Sequence, residues 1–328
     1  MIKLLILSVA LLFTACSTRE SYQPKEVVGD WEKYGDSDFS IENIAPNAAL
    51  VEDKKVFASG SVNKIKVPDG HSLLGFSDGW ILSTNIVGDL SLQHADDFAL
   101  AYSFTLKKTI AAASVNGDTL AVLFANNEMA LYSLSEKNLL LKIQGNAPLA
   151  VNYKIITPYF RDDLVLFSTL DGKVVIANVK TKKKLRTSIV SSEDNFNNII
   201  YFNFVENKII AATAHKIMSL SRKEAREKYD IRGVIDDGRN IFLATKQGEI
   251  VSITSDLQIN AKAKFPFAHF LGMIISNDKL YVLEKAGYMI EFSKDLLEYK
   301  VYDVDLDEGY VFIQDKKFYV DDEYISVE

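Results

Sequence analysis

Residues 163–185 read DLVLFSTLDGKVVIANVKTKKKL, and this stretch decides the fold of the chain. One apolar run, LVLF, is followed by a turn, LDG, and then by a second apolar run within KVVIANV. β-branched and aromatic residues favour strands, and glycine favours a hairpin turn because it adopts positive φ without steric cost. The stretch therefore predicts two antiparallel strands that pivot at Gly172 and lead into a lysine-rich connection.

The same frame of a polar residue, an apolar run and a turn residue nine positions later recurs along the chain. It fits residues 79–88 (GWILSTNIVG), 118–127 (DTLAVLFANN), 163–172, 206–215, 239–248, 278–287 and 307–316. The pivots are Gly88, Asn127, Gly172, His215, Gly248, Gly287 and Lys316. Their spacing of about 30 to 45 residues is typical of four-stranded propeller blades. Seven frames predict an all-β, seven-bladed β-propeller.

Two other arrangements remain open. An eighth hairpin that pivots at Asn63 would make eight blades, and unrelated strands would make an open sandwich. We expect residues 56–60 and 63–67 to add a strand to the last sheet, which would close the ring and remove its exposed edge. The charged residues 221–228 are expected to form either a short helix or an outer edge strand.

Composition limits the function of this 328-residue chain. It is 48% hydrophobic, which is enough to bury a large core, and its net charge is -7 with a pI near 5.3. The acidic balance argues against a nucleic-acid partner. Cys16 is the single cysteine, so an intrachain disulfide and a cysteine-based zinc cluster are both excluded.

The amino terminus reads as an export signal. Lys3 precedes an apolar run at residues 4–13 that, as a helix, reaches about 15 Å, half the thickness of the hydrocarbon layer. Residues 12–16, LFTAC, resemble the lipobox of bacterial lipoproteins, which implies acyl chains on Cys16. A plain signal peptide or an uncleaved apolar end is the alternative. We therefore expect a signal peptide at 1–15, a lipidated cysteine and flexible tether at 16–47, and a propeller at 48–328.

The repeat resembles a known family in LVLFSTLDGKVVIANVKTKKKL, which is similar to the repeat of quinoprotein-type (PQQ-like) propellers. Together with the lipobox, it makes the chain similar to the BamB-like lipoproteins of the outer-membrane β-barrel assembly machine. This resemblance implies a lipid anchor at the periplasmic face of the outer membrane and a protein partner such as a barrel-assembly complex. Ser17 after the cysteine resembles the signal for export to the outer membrane.

Catalytic and metal motifs are sparse. Residues 75–79 (GFSDG) fit the nucleophile elbow around Ser77, but a strand is expected to follow instead of the required helix, so a hairpin turn is favoured. Asp303, Asp305 and Asp307 are weak calcium candidates, and an acidic blade edge is favoured. The histidines His71, His94, His215 and His269 lack zinc-ligand spacing. No catalytic residue, metal or cofactor is predicted.

One basic run is a candidate partner contact. It contains Lys180, Lys182, Lys183, Lys184 and Arg186, where an exposed strand connection is expected. A solvated loop is the default interpretation, and contact with an acidic partner or anionic lipid is the functional one.

Three functions follow. A non-catalytic, lipid-anchored scaffold that assists β-barrel assembly is favoured. A lipid-anchored ligand-binding or sensing propeller is the alternative, and a quinoprotein dehydrogenase is less favoured because the chain has only two tryptophans, Trp31 and Trp80.

Overall fold

The computed structural model describes residues 20–193, 195–307 and 309–328. The strands form a ring of eight blades; each has four strands, and one of them has a fifth strand at its outer edge. Two short strands precede the first blade: β1 (Gly29–Asp30) and β2 (Tyr34–Asp36). One 3₁₀ helix (Glu52–Lys54) lies in the second turn of blade 1.

The first four blades follow one another along the chain, each as an antiparallel meander from the inner to the outer strand. Blade 1 contains β3 (Ile41–Ala45), β4 (Ala48–Val51), β5 (Lys55–Ala58) and β6 (Ser61–Lys66). Blade 2 contains β7 (Ser72–Ser77), β8 (Trp80–Thr84), β9 (Asp89–His94) and β10 (Ala101–Thr105). Blade 3 contains β11 (Ile110–Asn116), β12 (Thr119–Phe124), β13 (Met129–Ser133) and β14 (Leu139–Ile143). Blade 4 contains β15 (Tyr159–Arg161), β16 (Leu164–Ser168), β17 (Lys173–Asn178) and β18 (Lys183–Ile189).

The remaining blades keep this order, and the last one is completed by β2. Blade 5 contains β19 (Tyr201–Val205), β20 (Lys208–Ala212), β21 (Lys216–Leu220) and β22 (Glu224–Lys228). Blade 6 contains β23 (Ile231–Asp236), β24 (Asn240–Thr245), β25 (Glu249–Thr254) and β26 (Ile259–Lys264). Blade 7 contains β27 (Phe270–Ser276), β28 (Lys279–Glu284), β29 (Tyr288–Ser293) and β30 (Tyr299–Asp303). Blade 8 contains β31 (Val311–Gln314), β32 (Lys317–Val320) and β33 (Glu323–Ser326), with β2 as its outer strand.

The core lies between neighbouring blades. Both faces of a blade pack against other blades, so the second strands carry continuous apolar runs, as in LVLF and IFLA. Each of the eight blade interfaces in the described residues holds one buried hydrophobic cluster. Outer strands are exposed, and β22 is exposed at every position, which confirms an edge strand at residues 224–228.

The prediction of seven blades is wrong, and the alternative of eight is confirmed. The frame at 307–316 is displaced, because Lys316 lies in the first turn of blade 8, between β31 and β32. Asn63 is not a pivot either, because it lies inside β6 and pairs with Val56. Residues 56–60 and 63–67 thus build blade 1 and do not complete the last sheet.

The ring is closed by residues that the sequence assigned to a flexible tether. β2 pairs antiparallel with β33, and β1 pairs parallel with β30. Between them, Trp31 N–H donates to Asp303 O at 2.8 Å, and the indole Nε1 donates to Ser326 O at 3.0 Å. Residues 29–47 therefore belong in large part to the propeller, because the amino-terminal segment supplies the outer strand of blade 8 and covers the edge of β33.

Candidate functional site

The meander gives the ring two different faces. Because consecutive strands are antiparallel, the second turn of each blade and the link to the next blade lie at the same end of the strands. We call this end of the ring the connection face. It contains the turns at Gly88 and Gly172 and the links that follow β14 and β18.

Buried asparagines hold the long link 144–158 on the connection face. Asn127 is fully buried, and its Nδ2 donates to Asn146 O at 2.9 Å. Asn198 is also fully buried; its Oδ1 accepts from Asn152 N at 2.5 Å and its Nδ2 donates to Lys154 O at 2.6 Å. These bonds satisfy backbone groups that no strand partner reaches, so the link has a fixed course.

Large apolar side chains stand out from this fixed link. Leu149 is 81% exposed and Tyr153 is 80% exposed. Phe196, on the neighbouring link, is 52% exposed, and its N–H donates to Ala150 O at 3.0 Å. Exposed apolar groups on an ordered backbone are typical of a surface that binds a partner.

The central channel beside this link holds a cavity of about 560 Å³. Inner strands of six blades and the link 144–158 line it, and most of the lining is apolar. Lys154 and Arg232 are the charged residues of the lining among the described residues. The cavity is therefore apolar with a cationic spot.

Lys154 and Arg232 lie beside each other. Lys154 Nζ donates to the backbone carbonyl of Arg232 at 3.1 Å, and Arg232 NH1 donates to His269 Nε2 at 2.6 Å. Burial, and then the charge of Arg232, lower the pKa of Lys154, and burial also lowers the pKa of Arg232. A negative group in the cavity would offset this unfavourable placement of two like charges.

The predicted basic run lies at the outer edge of the ring. Lys183, Lys184 and Arg186 are in the exposed edge strand β18, and so they are not in a loop as the default interpretation had it. Lys180 pairs with Asp163 at 2.9 Å. Together with basic residues around β22 they form a surface that we call the basic rim: Lys180, Lys182, Lys183, Lys184, Arg186, Arg222, Lys223, Arg226 and Lys228.

Glu224 ties the two halves of the basic rim together. Its carboxylate accepts from Arg186 NH2 at 2.6 Å and from Arg226 NH2 at 2.5 Å. The hydrogen bond from Arg226 lowers the pKa of Glu224; burial opposes this, and the bonds from Arg186 and Ser188 lower it further. Lysines on an edge strand also prevent unwanted strand pairing, so the basic rim has a structural use besides any contact with a partner.

Ser77 lies in a hairpin. β7 ends at Ser77, Gly79 has a φ of +79°, and β8 begins at Trp80. Ser77 Oγ donates to Val115 O at 3.1 Å and accepts from Val115 N at 3.0 Å. The hairpin interpretation is thus confirmed, and the hydroxyl joins blades 2 and 3.

Asp303 ends β30 in blade 7, and Asp305 and Asp307 follow that strand. Their side chains are exposed, and Asp305 N–H donates to Tyr34 Oη at 3.3 Å. In the described residues, no group of three His, Cys, Asp or Glu side chains is placed to hold a metal ion. His71, which contacts Ser83 at 3.3 Å, and His94, which packs edge-to-face on Trp80, both belong to blade 2, whereas His215 and His269 belong to blades 5 and 7.

The anchor prediction falls on Cys16, which lies outside the described residues. Among the residues that are described, no helix combines the length and the apolar character that a membrane crossing requires.

Comparison with known proteins gives partial sequence matches. The chain matches no protein-family model. It is 33% identical over 195 residues to the plasminogen-binding protein PgbB of Helicobacter pylori strain J99, and 32% identical over 195 residues to PgbB of strain 26695. The match covers 58% of this chain and 36% of each relative. The chain thus spans about a third of the length of the curated relatives it matches.

Solved structures match over most of the ring. BamB from Moraxella catarrhalis has a TM-score of 0.68 at 12% identity, covering 90% of this chain and 98% of that protein. The C-terminal WD40 domain of Sif2 has a TM-score of 0.63 at 11% identity, with coverages of 90% and 99%. The computationally designed Ika8 protein has a TM-score of 0.61 at 13% identity, with coverages of 92% and 100%. At these identities the likeness shows the fold alone: this chain is a β-propeller.

Proposed function

We propose that this protein is a non-catalytic, lipid-anchored propeller that binds a protein partner at the periplasmic face of the outer membrane, where it assists the assembly of β-barrel proteins. The observation that carries the proposal is the fixed link 144–158, which presents Leu149 and Tyr153 to solvent beside Phe196. A partner that covers these side chains gains hydrophobic burial without first ordering the link.

The usual distribution of binding energy in protein interfaces favours the connection face as the centre of the interface with the partner. Binding energy in protein interfaces concentrates in a few aromatic and large apolar side chains surrounded by polar groups. Tyr153 and Phe196 supply the aromatic rings, and Asn127 and Asn198 fix the backbone beneath them. The proposed interface is therefore already formed before the partner arrives.

The basic rim has a different proposed role. Lys182, Lys183 and Lys184 are exposed, and none of them pairs with a carboxylate within the described part of the chain. Exposed charges change the rate of association more than the affinity, because they steer an oppositely charged partner before contact. We expect the basic rim to attract an acidic partner surface or anionic head groups.

The relatives support a binding role and suggest a second candidate. PgbB is named as a plasminogen-binding protein, and this chain is 33% identical to it over 195 residues. Binding of plasminogen is therefore the alternative to a barrel-assembly partner. Both functions use protein contacts and neither needs catalytic residues.

A pull-down from detergent-solubilised envelope tests the proposal. The wild-type protein should capture components of the barrel-assembly machine. The combined change Leu149→Ser, Tyr153→Ser and Phe196→Ser should reduce this capture at least tenfold. Leu297→Ser is the matched control, because Leu297 is 79% exposed but lies in a third turn, on the opposite face of the ring. Equal capture by both variants would rule out the connection face.

Further outcomes separate the alternatives. Charge reversal at Lys182, Lys183 and Lys184 should slow capture, most strongly at low salt. Purified plasminogen that binds wild type but not the triple variant would favour the second candidate.

Ser77→Ala, Asp305→Ala and Asp307→Ala should leave capture unchanged. Quinone-dependent dye reduction by the purified protein would favour an enzyme instead.

A further inference from the structure

The cavity in the central channel places two cations in a lining that is otherwise uncharged. Neither Lys154 nor Arg232 forms an ion pair with a carboxylate of the described residues. Charged groups in apolar surroundings are unfavourable unless an opposite charge or several hydrogen bonds compensate them. The two charges therefore lower the stability of the folded protein, and apolar side chains in place of Lys154 and Arg232 would avoid this cost.

The other blades show that the fold does not need a cation here. The register of β23 with β24 shifts at Arg232, and such a bulge turns the extra residue away from the regular ladder. The same shift occurs at Leu74 in blade 2, at Ala111 in blade 3 and at Leu271 in blade 7. All four residues line the cavity. Leucine or alanine serves at this position in blades 2, 3 and 7, and blade 1 carries Glu42 there, which does not line the cavity, so a cation is not required at this position for packing.

Both cations have donors to spare. Arg232 Nε is buried without a hydrogen-bond partner, while its NH1 is occupied by His269 Nε2. Lys154 Nζ has three N–H groups and uses one of them on the carbonyl of Arg232 at 3.1 Å. Lys154 Nζ thus lies at the backbone of Arg232, and both residues line the same cavity.

We propose that the channel cavity binds a small organic anion with a carboxylate head and an apolar tail. The carboxylate accepts from Arg232 and Lys154, and this pairs both charges. The tail packs against Ile156, Ile235, Phe270 and Met273, which line the same cavity. A volume of about 560 Å³ lies in the range of about 300 to 1,000 Å³ that is usual for ligand sites.

Isothermal titration of the purified full-length protein with octanoate tests this site. Wild type should bind octanoate at one site, at least tenfold more tightly than octan-1-ol, which has the same tail without the charge. It should also bind octanoate at least tenfold more tightly than inorganic phosphate, which has charge without a tail. Arg232→Leu and Lys154→Met should each weaken octanoate binding at least tenfold. Lys182→Met, on the basic rim, should leave it unchanged.

The other outcomes overturn the proposal. Equal binding of octan-1-ol would show an apolar cavity without an anion site, and equal binding of phosphate would show an anion site without a place for the tail. Unchanged binding in Arg232→Leu would place the ligand elsewhere. Leucine is the residue that blades 2 and 7 carry at this position, so the variant is expected to fold.

A second measurement needs no substitution. Reductive methylation of wild type, read by mass spectrometry, should label Lys154 at least threefold more slowly with octanoate present, while labelling of Lys182 stays constant. Equal rates at Lys154 with and without octanoate would contradict the proposed contact. Because this readout concerns the channel and not the connection face, its failure would leave the proposed partner binding unaffected.

Discussion

Gly172 and Gly117 both have positive φ, +80° and +53°, but their surroundings differ. A Cβ at Gly172 would lie 2.4 Å from Asn197 Nδ2 and 2.6 Å from Ser191 O, whereas a Cβ at Gly117 would meet nothing within 4 Å. Gly117→Ala should therefore cost only the strain of positive φ, about 1 kcal/mol. Gly172→Ala should lower the free energy of unfolding by at least about 2 kcal/mol more, because its Cβ also displaces Ser191 and Asn197 in the link after β18.

Urea unfolding of both variants measures this difference in the free energy of unfolding. Since the two residues share the sign of φ, Gly117→Ala is the matched control for backbone strain. If both variants lost the same free energy, the crowding around Gly172 would have no energetic weight.

Removing the charge of Lys154 should not lower the stability, in contrast to the glycine substitutions, because this charge is placed unfavourably in the ligand-free protein. Burial lowers the pKa of Lys154, and Arg232 lowers it further. Lys154→Met keeps the length of the side chain and removes the charge, so stability at pH 7 should stay the same or rise by up to about 1 kcal/mol. Urea unfolding of the ligand-free protein measures this change in the free energy of unfolding. A loss of more than about 1 kcal/mol would mean that the bond to the Arg232 carbonyl outweighs the cost of the charge.

The cationic spot could not be found from the sequence. Arg232 is one residue of an apolar strand. A bulge turns its side chain into the channel, and the alternation of residues along the strand sequence does not reveal this bulge. Lys154 is distant from it in the chain, and only closure of the ring brings the two together. The basic rim, in contrast, was visible because five cations lie within residues 180–186.

At the scale of strands and turns, the repeat frame located six second turns correctly, those at Gly88, Asn127, Gly172, His215, Gly248 and Gly287. The seventh frame fell on blade 8 but pivoted in its first turn, and blade 1 had no frame among the seven. The second strands of these two blades, β4 and β32, have four residues each, whereas those of the other blades have five or six, so the nine-residue frame does not fit them. The closing strand β2 has three residues, which is too short for a periodic pattern.

Trp31 should contribute strongly to ring closure, because it joins blades 7 and 8. It is 6% exposed and packs edge-to-face on Tyr281 and Tyr302, with ring centroids 5.8 Å and 5.1 Å away. Trp31→Ala removes this packing and should cost about 3 to 5 kcal/mol in urea unfolding.

Trp31→Phe is the control for this prediction. The ring can still pack on the two tyrosines, but it lacks the indole N–H that donates to Ser326 O at 3.0 Å. The loss of this bond should cost about 1 kcal/mol, clearly less than Trp31→Ala. A loss below about 1 kcal/mol for Trp31→Ala would show that the ring closes without the amino-terminal segment.

At the scale of the whole molecule, the ring separates three surfaces. The connection face carries exposed apolar side chains, the outer edge of blades 4 and 5 carries the basic rim, and the channel carries the cationic cavity. Each blade packs only against its two neighbours in the closed ring, so a substitution in a loop leaves the core between the blades intact. Substitutions in the basic rim should therefore leave the other two surfaces unchanged, whereas Tyr153 stands on the connection face and also lines the cavity.

The proposed lipid anchor determines how these surfaces would meet a partner. The lipobox-like LFTAC predicts acyl chains on Cys16, and Tyr22 is already buried between blades 6 and 7, so residues 17–21 connect the predicted anchor to the ring. Two or more acyl chains give stable membrane attachment, whereas one gives only marginal binding. Cys16→Ser should therefore move the protein from the membrane to the soluble fraction and abolish labelling by a fatty-acid analogue. Leu297→Ser, which keeps Cys16, should remain membrane-bound. Cys16→Ser protein that stayed with membranes would contradict the lipid anchor, and capture of the partner by the soluble variant would show that binding itself needs only the propeller.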